Sequence, residues 1–144
     1  MLGASLAIGL LYFLPRYDDI HRVVTVDEPL WLGRSANFLD GLLFLHPLDT
    51  YQFAHPGVMT MWAGALAYLV MQPAYMLHDF KYTTHTTDIH KQLRAFDIDP
   101  LQMLVYARVS KLLLQTGLFI FAIWMIDRLF GRRVAVGTAI TIAF

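Results

Sequence analysis

The sequence of 144 residues contains no cysteine. This absence excludes disulfide bonds, thiolate catalysis and cysteine-based zinc sites. An excess of one charge is also absent, because eleven lysine and arginine residues balance eleven aspartate and glutamate residues. A chain without a basic excess lacks the electrostatic footprint of a nucleic-acid-binding protein, so we expect no nucleic acid partner. The sequence also lacks a glycine-rich phosphate loop, and nothing else in it predicts binding of a soluble nucleotide.

Apolar residues, by contrast, are abundant. They make up 57% of the chain, and three Trp, seven Tyr and ten Phe give it a large aromatic share. Soluble proteins average about 45–50% apolar residues, and aromatic side chains are enriched at membrane interfaces. The composition therefore predicts an all-α, polytopic protein of the cell membrane. We expect transmembrane helices, and interfacial juxtamembrane helices in the first external loop, with the lipid bilayer as a partner.

Apolar and polar runs divide the chain into segments of one membrane-embedded unit, residues 1–144. The predicted segments are a transmembrane helix at 1–14, an external loop at 15–57 with an amphipathic helix at 29–45, an apolar helix at 58–77, a polar loop at 78–100, a transmembrane helix at 101–127 and a truncated transmembrane helix at 134–144. The last segment has about half of the ~20 residues that a spanning helix needs. We therefore expect the chain to be the N-terminal part of a longer protein.

Two arrangements of the apolar helix at 58–77 remain open. Its length is sufficient to cross the bilayer. If it crosses, a cytoplasmic N-terminus places the basic turn, defined by Arg128, Arg132 and Arg133, outside the cell. If it lies in the interface as a juxtamembrane or re-entrant helix, both polar loops face outside and the basic turn faces the cytoplasm. The positive-inside rule favours the second arrangement.

Asp27 and Glu28 are the first candidates for chemistry, because they are adjacent carboxylates just before the predicted amphipathic helix. The structural interpretation is helix capping. The functional interpretation is a carboxylate that orients or deprotonates an acceptor, or that ligates a divalent cation such as Mg²⁺ or Mn²⁺. Neighbouring residues on a helix point about 100° apart, so one of the two is expected to face the site. If a metal takes part, Asp27 is the expected ligand.

Two further residues are candidates for substrate binding. His55 lies in a His-Pro-Gly stretch, which either simply turns the chain or holds an imidazole that donates to a phosphate. Arg108 lies in a mostly apolar helix, and Lys111 follows one turn later on the same side. These cations either snorkel to the interface or bind an anionic lipid headgroup. The histidines between 78 and 90 lack the spacing of a helical ligand pair, so we predict no metal site there.

The order of these elements along the chain resembles a known family. The matching stretches are Asp27-Glu28, Trp31, Gly33-Arg34, His55-Pro56-Gly57, Ala107-Arg108-Val109-Ser110 and the basic residues from 128 to 135. Together they look like the start of the C-type membrane glycosyltransferases, in particular the protein-mannosyltransferase-like and aminoarabinose-transferase-like branch. The resemblance implies an enzyme that takes a sugar from a polyprenyl-phosphate donor. The acceptor would be a protein, lipid or glycan on the extracytoplasmic side of the membrane.

The resemblance also implies roles for particular residues. The family's first acidic motif corresponds to Asp27 and Glu28 as catalytic residues, and Arg34, His55 and Arg108 would bind substrate. Gly57 departs from the usual His-Pro-Pro pattern. The family's second acidic motif would follow the end of this sequence, so the chain alone is expected to be inactive. The alternatives are a subunit of a polytopic transporter and a membrane protein without catalysis.

Overall fold

A computed structural model of the chain describes residues 2–21, 24–25, 27–52, 55–56, 58–79 and 86–143. Within these ranges the protein is all-α, as the composition predicts. The helices are α1 (Leu2–Asp18), α2 (Glu28–Leu43), α3 (Met59–Met71), α4 (Thr86–Ala95), α5 (Pro100–Phe130) and α6 (Arg132–Ala143). A 3₁₀ turn (Pro47–Thr50), a π turn (Tyr75–Asp79) and two short antiparallel strands, β1 (Tyr51–Gln52) and β2 (His55–Pro56), complete the described elements.

The chain groups into two compact units, where the sequence predicts a single one. The central unit is Val23–Lys111 and contains α2, α3, α4, both strands and the first part of α5. The terminal unit combines Met1–Arg22 with Leu112–Phe144, and contains α1, α6 and the remainder of α5. Each unit has its own buried apolar cluster. Helix α5 therefore contributes to both cores.

Helix α2 is the central packed element of the central unit. Its bounds agree with the helix predicted at 29–45, but its environment differs from the prediction. On an amphipathic helix over 29–45, Phe38 falls on the apolar side and Asn37 on the polar side, but both side chains are buried. The Phe38 ring packs edge-on against Trp62 of α3 at 4.9 Å between centroids. Asn37 donates to the Gln52 side chain at 2.9 Å, so its polarity is satisfied inside the protein.

The apolar segment at 58–77 is not one continuous helix. Helix α3 ends at Met71, with a break at Gln72, and the π turn follows closely. Pro73 has no N–H group to extend the hydrogen-bond ladder of α3. A helix of 13 residues is about 20 Å long, whereas the hydrocarbon core of a bilayer is about 30 Å thick. Helix α3 alone is therefore too short to cross a bilayer.

The segment predicted as a polar loop at 78–100 contains α4. Ile89 and Leu93 are spaced one turn apart on this helix and are both fully buried in the core of the central unit. The mean hydropathy of residues 78–100 is dominated by the many charged residues of this stretch, so it does not reveal these two apolar positions. Two buried side chains four residues apart are enough to anchor one face of an amphipathic helix.

The terminal unit contains α1, the part of α5 from Leu112 onward, and α6. Helix α1 continues past the predicted end at residue 14 and includes Pro15. Its Tyr12 ring stacks on Phe119 of α5 at 4.8 Å. Helix α5 extends three residues beyond the predicted 127 and ends before Gly131, whose φ of +86° suits the residue that terminates a helix. Among the described residues, α5 is the one helix long and apolar enough to cross a membrane.

A close contact between α2 and α3 predicts a sensitive glycine. A methyl group added at Gly64 would overlap the side chain of Ser35. We expect Gly64→Ala to lower the free energy of unfolding by about 1–3 kcal/mol, because overpacking forces neighbouring atoms to move. The measurement is thermal unfolding of the protein purified in detergent.

Gly137→Ala is the matched control, because a methyl group there meets no atom within 4 Å. Adding Ser35→Gly to Gly64→Ala should recover stability by removing the overlapping side chain. Unchanged unfolding of Gly64→Ala would contradict the close packing of α2 on α3.

Candidate functional site

An ion pair joins the start of α2 to α5 within the central unit. Arg108 Nε donates to Glu28 Oε1 at 2.9 Å, and Arg108 Nη2 donates to Glu28 Oε2 at 2.6 Å. The two side chains are only 14% and 26% exposed, respectively. Two parallel, charge-assisted hydrogen bonds are among the strongest polar contacts in proteins, and they fix the orientation of both groups. The pair therefore sets the position of the N-terminus of α2.

Glu28 also holds the segment that precedes its helix. The backbone N–H of Thr25, two residues before the N-cap residue Asp27, donates to Glu28 Oε2 at 2.7 Å. Burial raises the pKa of the Glu28 carboxyl, but the contacts with Arg108 and Thr25 outweigh burial and hold this pKa below its ordinary value. Asp27, which the sequence offers equally as a cap, makes no side-chain capping bond with the described residues.

A cavity of about 320 Å³ lies beside this pair. Residues from α2, α3 and α5 line it, and its polar side chains include Asp27, Ser35, Thr60 and Lys111. Asp27 is exposed and Lys111 is half-buried. Within the part of the chain that the structure describes, neither side chain has a hydrogen bond or an ion pair. The Asp27 carboxylate and the Lys111 amine, neither paired with a described residue, therefore line the same cavity.

The different surroundings of Asp27 and Glu28 suit the two carboxylates to different roles. A carboxylate without a cationic partner is available to accept a proton, whereas the Glu28 carboxylate is held by Arg108. An ammonium group at the same cavity offers three hydrogen-bond donors to an anion. Trp31 and Leu104 add apolar surface to the lining. The cavity can therefore hold a ligand that has an anionic group beside a neutral, proton-donating one.

The structure does not bring all the predicted site residues together. Arg34 is not among the described residues that line the cavity, and its guanidinium instead stacks on the Trp31 ring at 4.7 Å. His55 pairs through its backbone with Gln52, and its side chain lies outside the described part of the structure. Lys111, which the sequence marks only as a neighbour of Arg108, faces the cavity directly. Its spacing of one turn from Arg108 was the available signal.

A different set of residues could hold a metal ion. Asp40, His46 and Asp49 bring one ligand atom each to within 4.8 Å of one another at the end of α2. His46 Nδ1 is 3.7 Å from Asp49 Oδ2. Burial raises the pKa of Asp40, His46 opposes this shift, and the nearby Asp49 carboxylate adds to it. The sequence names Asp27 as the ligand if a metal takes part, and this cluster was missed because its spacing across a helix end matches no known ligand motif.

A comparison of the chain with models of known protein families, with curated proteins and with solved structures finds no match. The family resemblance and the roles it implies therefore remain predictions. The contacts around Glu28, Arg108 and the cavity form the physical basis for any assignment.

The ion pair should contribute strongly to stability. Glu28→Gln leaves the guanidinium of Arg108 without its counter-charge, and should lower the free energy of unfolding by about 2 kcal/mol. Arg108→Gln should have an effect of similar size. The double variant should lose less than the sum of the two, as expected for residues in direct contact. Asp97→Asn is the control, because it removes an exposed carboxylate. Strictly additive losses would contradict the pairing.

The same pair predicts a dependence of stability on pH. Because the pKa of Glu28 is lower in the folded state, its contribution is fully present above about pH 4.5, the ordinary value. The contribution is lost as the pH falls through the folded pKa. The melting temperature of the wild type should therefore decrease more steeply below pH 4.5 than that of Glu28→Gln. Parallel curves for the two proteins would show that Glu28 is not responsible.

Proposed function

We propose that the chain is the membrane-embedded N-terminal part of a C-type membrane glycosyltransferase. In this proposal the enzyme moves a sugar from a polyprenyl-phosphate donor to an extracytoplasmic protein, lipid or glycan. The observation that supports it is the shared cavity, where the uncommitted carboxylate of Asp27 and the uncommitted amine of Lys111 face one space. A hydroxyl or amine acceptor needs a carboxylate that takes its proton, and the phosphate of a lipid-phosphate sugar needs a cation that stabilises its charge.

Asp27 is the proposed general base. The acceptor hydroxyl or amine transfers its proton to the Asp27 carboxylate as the acceptor atom bonds to the anomeric carbon of the sugar. The bond from that carbon to the phosphate oxygen breaks, and the polyprenyl phosphate leaves with the electron pair. Glu28 is less suited to this step, because Arg108 and Thr25 already hold both of its oxygens. A base must have a lone pair within reach of the acceptor.

Lys111 is the proposed contact for the departing phosphate. An ammonium group at the edge of a low-dielectric cavity stabilises the negative charge that develops on the leaving oxygen. Arg108, which the sequence predicts as a substrate-binding residue, is engaged by Glu28 and acts instead as a positioning residue. The ion pair then holds the start of α2, and with it Asp27, against the cavity wall. If a divalent cation takes part, Asp27 is its proposed ligand in the cavity.

The proposal includes a multi-pass protein of the cell membrane. Helix α5 supports this by its length and apolar composition, and Lys111 lies about three turns beyond Pro100, the first residue of that helix. A donor with a lipid tail requires a site near the bilayer surface. A transporter is less well supported, because transporters place ionisable groups at the bilayer midplane between broken helices. The acidic pair here lies at the start of α2, outside the candidate span.

Sugar transfer by variants of the full-length protein tests the proposal. Asp27→Asn should reduce transfer from a polyprenyl-phosphate sugar by roughly 10²–10⁴-fold, the loss typical of a missing general base. Lys111→Gln should reduce transfer by on the order of 10²-fold, because one transition-state donor is lost. Both variants should reach wild-type levels in the membrane, since neither side chain has a structural partner among the described residues.

Asp97→Asn is the control, and its transfer rate should be unchanged. Near-normal transfer by Asp27→Asn, with normal expression, would remove Asp27 from the mechanism. Glu28→Gln gives a further distinction. If Glu28 only positions α2, its variant should lose activity in parallel with thermal stability, while Asp27→Asn loses activity alone.

The proposed topology has a separate test. The natural chain has no cysteine, so single cysteines at the exposed positions Leu48, Asp97 and Arg132 can be labelled individually. An impermeant thiol reagent should label positions 48 and 97 on intact cells, because both polar segments are expected outside. Position 132 should react only after permeabilisation, since Arg128 and Arg133 keep its turn basic. Labelling of position 132 on intact cells would contradict this arrangement.

A further inference from the structure

The basic turn (Arg128, Arg132 and Arg133) connects the last two helices of the terminal unit. Gly131 is the single residue between α5 and α6, and its N–H bonds to the Asp127 carbonyl at 3.1 Å. The left-handed conformation of Gly131 allows one helix to end and the next to begin without a longer loop. Three guanidinium groups therefore belong to one short, well-defined turn rather than to an irregular segment.

The charges of the basic turn are not neutralised by the described residues. Arg128, Arg132 and Arg133 are all exposed, and no ion pair is formed by any of them within the described ranges. Arg128 lies over the Trp124 ring at 5.7 Å, a contact that leaves its charge intact. Asp127 is the one acidic residue from 127 to 133, so this stretch has a net positive charge.

Two large apolar side chains lie within the same turn. Leu129 is 67% exposed and Phe130 is 68% exposed, and both are at the end of the candidate membrane span. Such exposure is unfavourable in water, but it suits the boundary between lipid headgroups and acyl chains. Arginine forms bidentate hydrogen bonds with phosphate, and positive residues next to a membrane helix are attracted to anionic lipids. The apolar and cationic groups thus match the two parts of an anionic phospholipid.

We propose that the basic turn is a binding site for anionic phospholipids. The phosphate groups would bind Arg132 and Arg133, and the acyl boundary would contact Leu129 and Phe130. This inference requires that α5 crosses a bilayer, but it does not depend on sugar transfer. In this proposal the basic turn selects anionic over neutral lipids, in addition to any effect of its charge on the orientation of the chain in the membrane.

Lipid retention by the full chain tests the site. The protein is reconstituted with equal amounts of phosphatidylglycerol and phosphatidylcholine that have identical acyl chains, and bound lipid is measured by native mass spectrometry. The wild type should retain phosphatidylglycerol preferentially. Arg132→Gln with Arg133→Gln should reduce this preference by roughly 5-fold for each arginine. Arg132→Lys with Arg133→Lys should keep most of it, because the charge remains.

The control is Lys91→Gln with Arg94→Gln, which removes two exposed cations from α4. It should retain the wild-type preference, and inorganic phosphate should not displace the lipid. Equal preference in the wild type and the Arg132→Gln, Arg133→Gln variant would overturn the site, as would an equal loss in the control. Displacement by inorganic phosphate would also overturn a lipid site. A wild type that retains no phospholipid at all would contradict the membrane placement as well.

Discussion

The ion pair between Glu28 and Arg108 is the contact on which the candidate site depends. It joins residues that are 80 positions apart in sequence, and it holds both charges in a largely buried environment. A buried charge that lost its partner would be costly, so the start of α2 is held against α5. Thr25 adds its backbone N–H to the same carboxylate and ties the preceding segment to the pair.

This constraint gives adjacent or nearby residues of like charge different tasks. Glu28 is committed to structure, while Asp27, one position earlier, faces the cavity without a partner among the described residues. Arg108 is committed to Glu28, while Lys111, one turn later, has no counter-charge in the same part of the structure. The environment of each group, rather than its residue type, decides whether it is available to a ligand.

The packing of α2 shows a limit of amphipathic patterns. A helix with one apolar side can bury that side in lipid or in another part of the protein, and periodicity does not distinguish the two. Here α3 covers the Phe38 side, and Asn37 finds Gln52 as a hydrogen-bond partner on another side. Both sides of the helix are therefore buried. The cluster of Asp40, His46 and Asp49 arises in the same way, because the chain turns back at the end of α2.

Local sequence determined the helical class, the bounds of α2 and α5 to within a few residues, and the small set of ionisable residues able to carry chemistry. These features follow from apolar runs, from the restricted backbone of Pro29 in the first turn of α2, and from the permissive backbone of Gly131 after α5. Tertiary structure alone decided that Glu28 pairs with Arg108, that Asp27 remains available, and that α4 forms within a polar stretch. These outcomes depend on contacts between residues distant in sequence, and a periodicity read over neighbouring positions contains no information about such contacts.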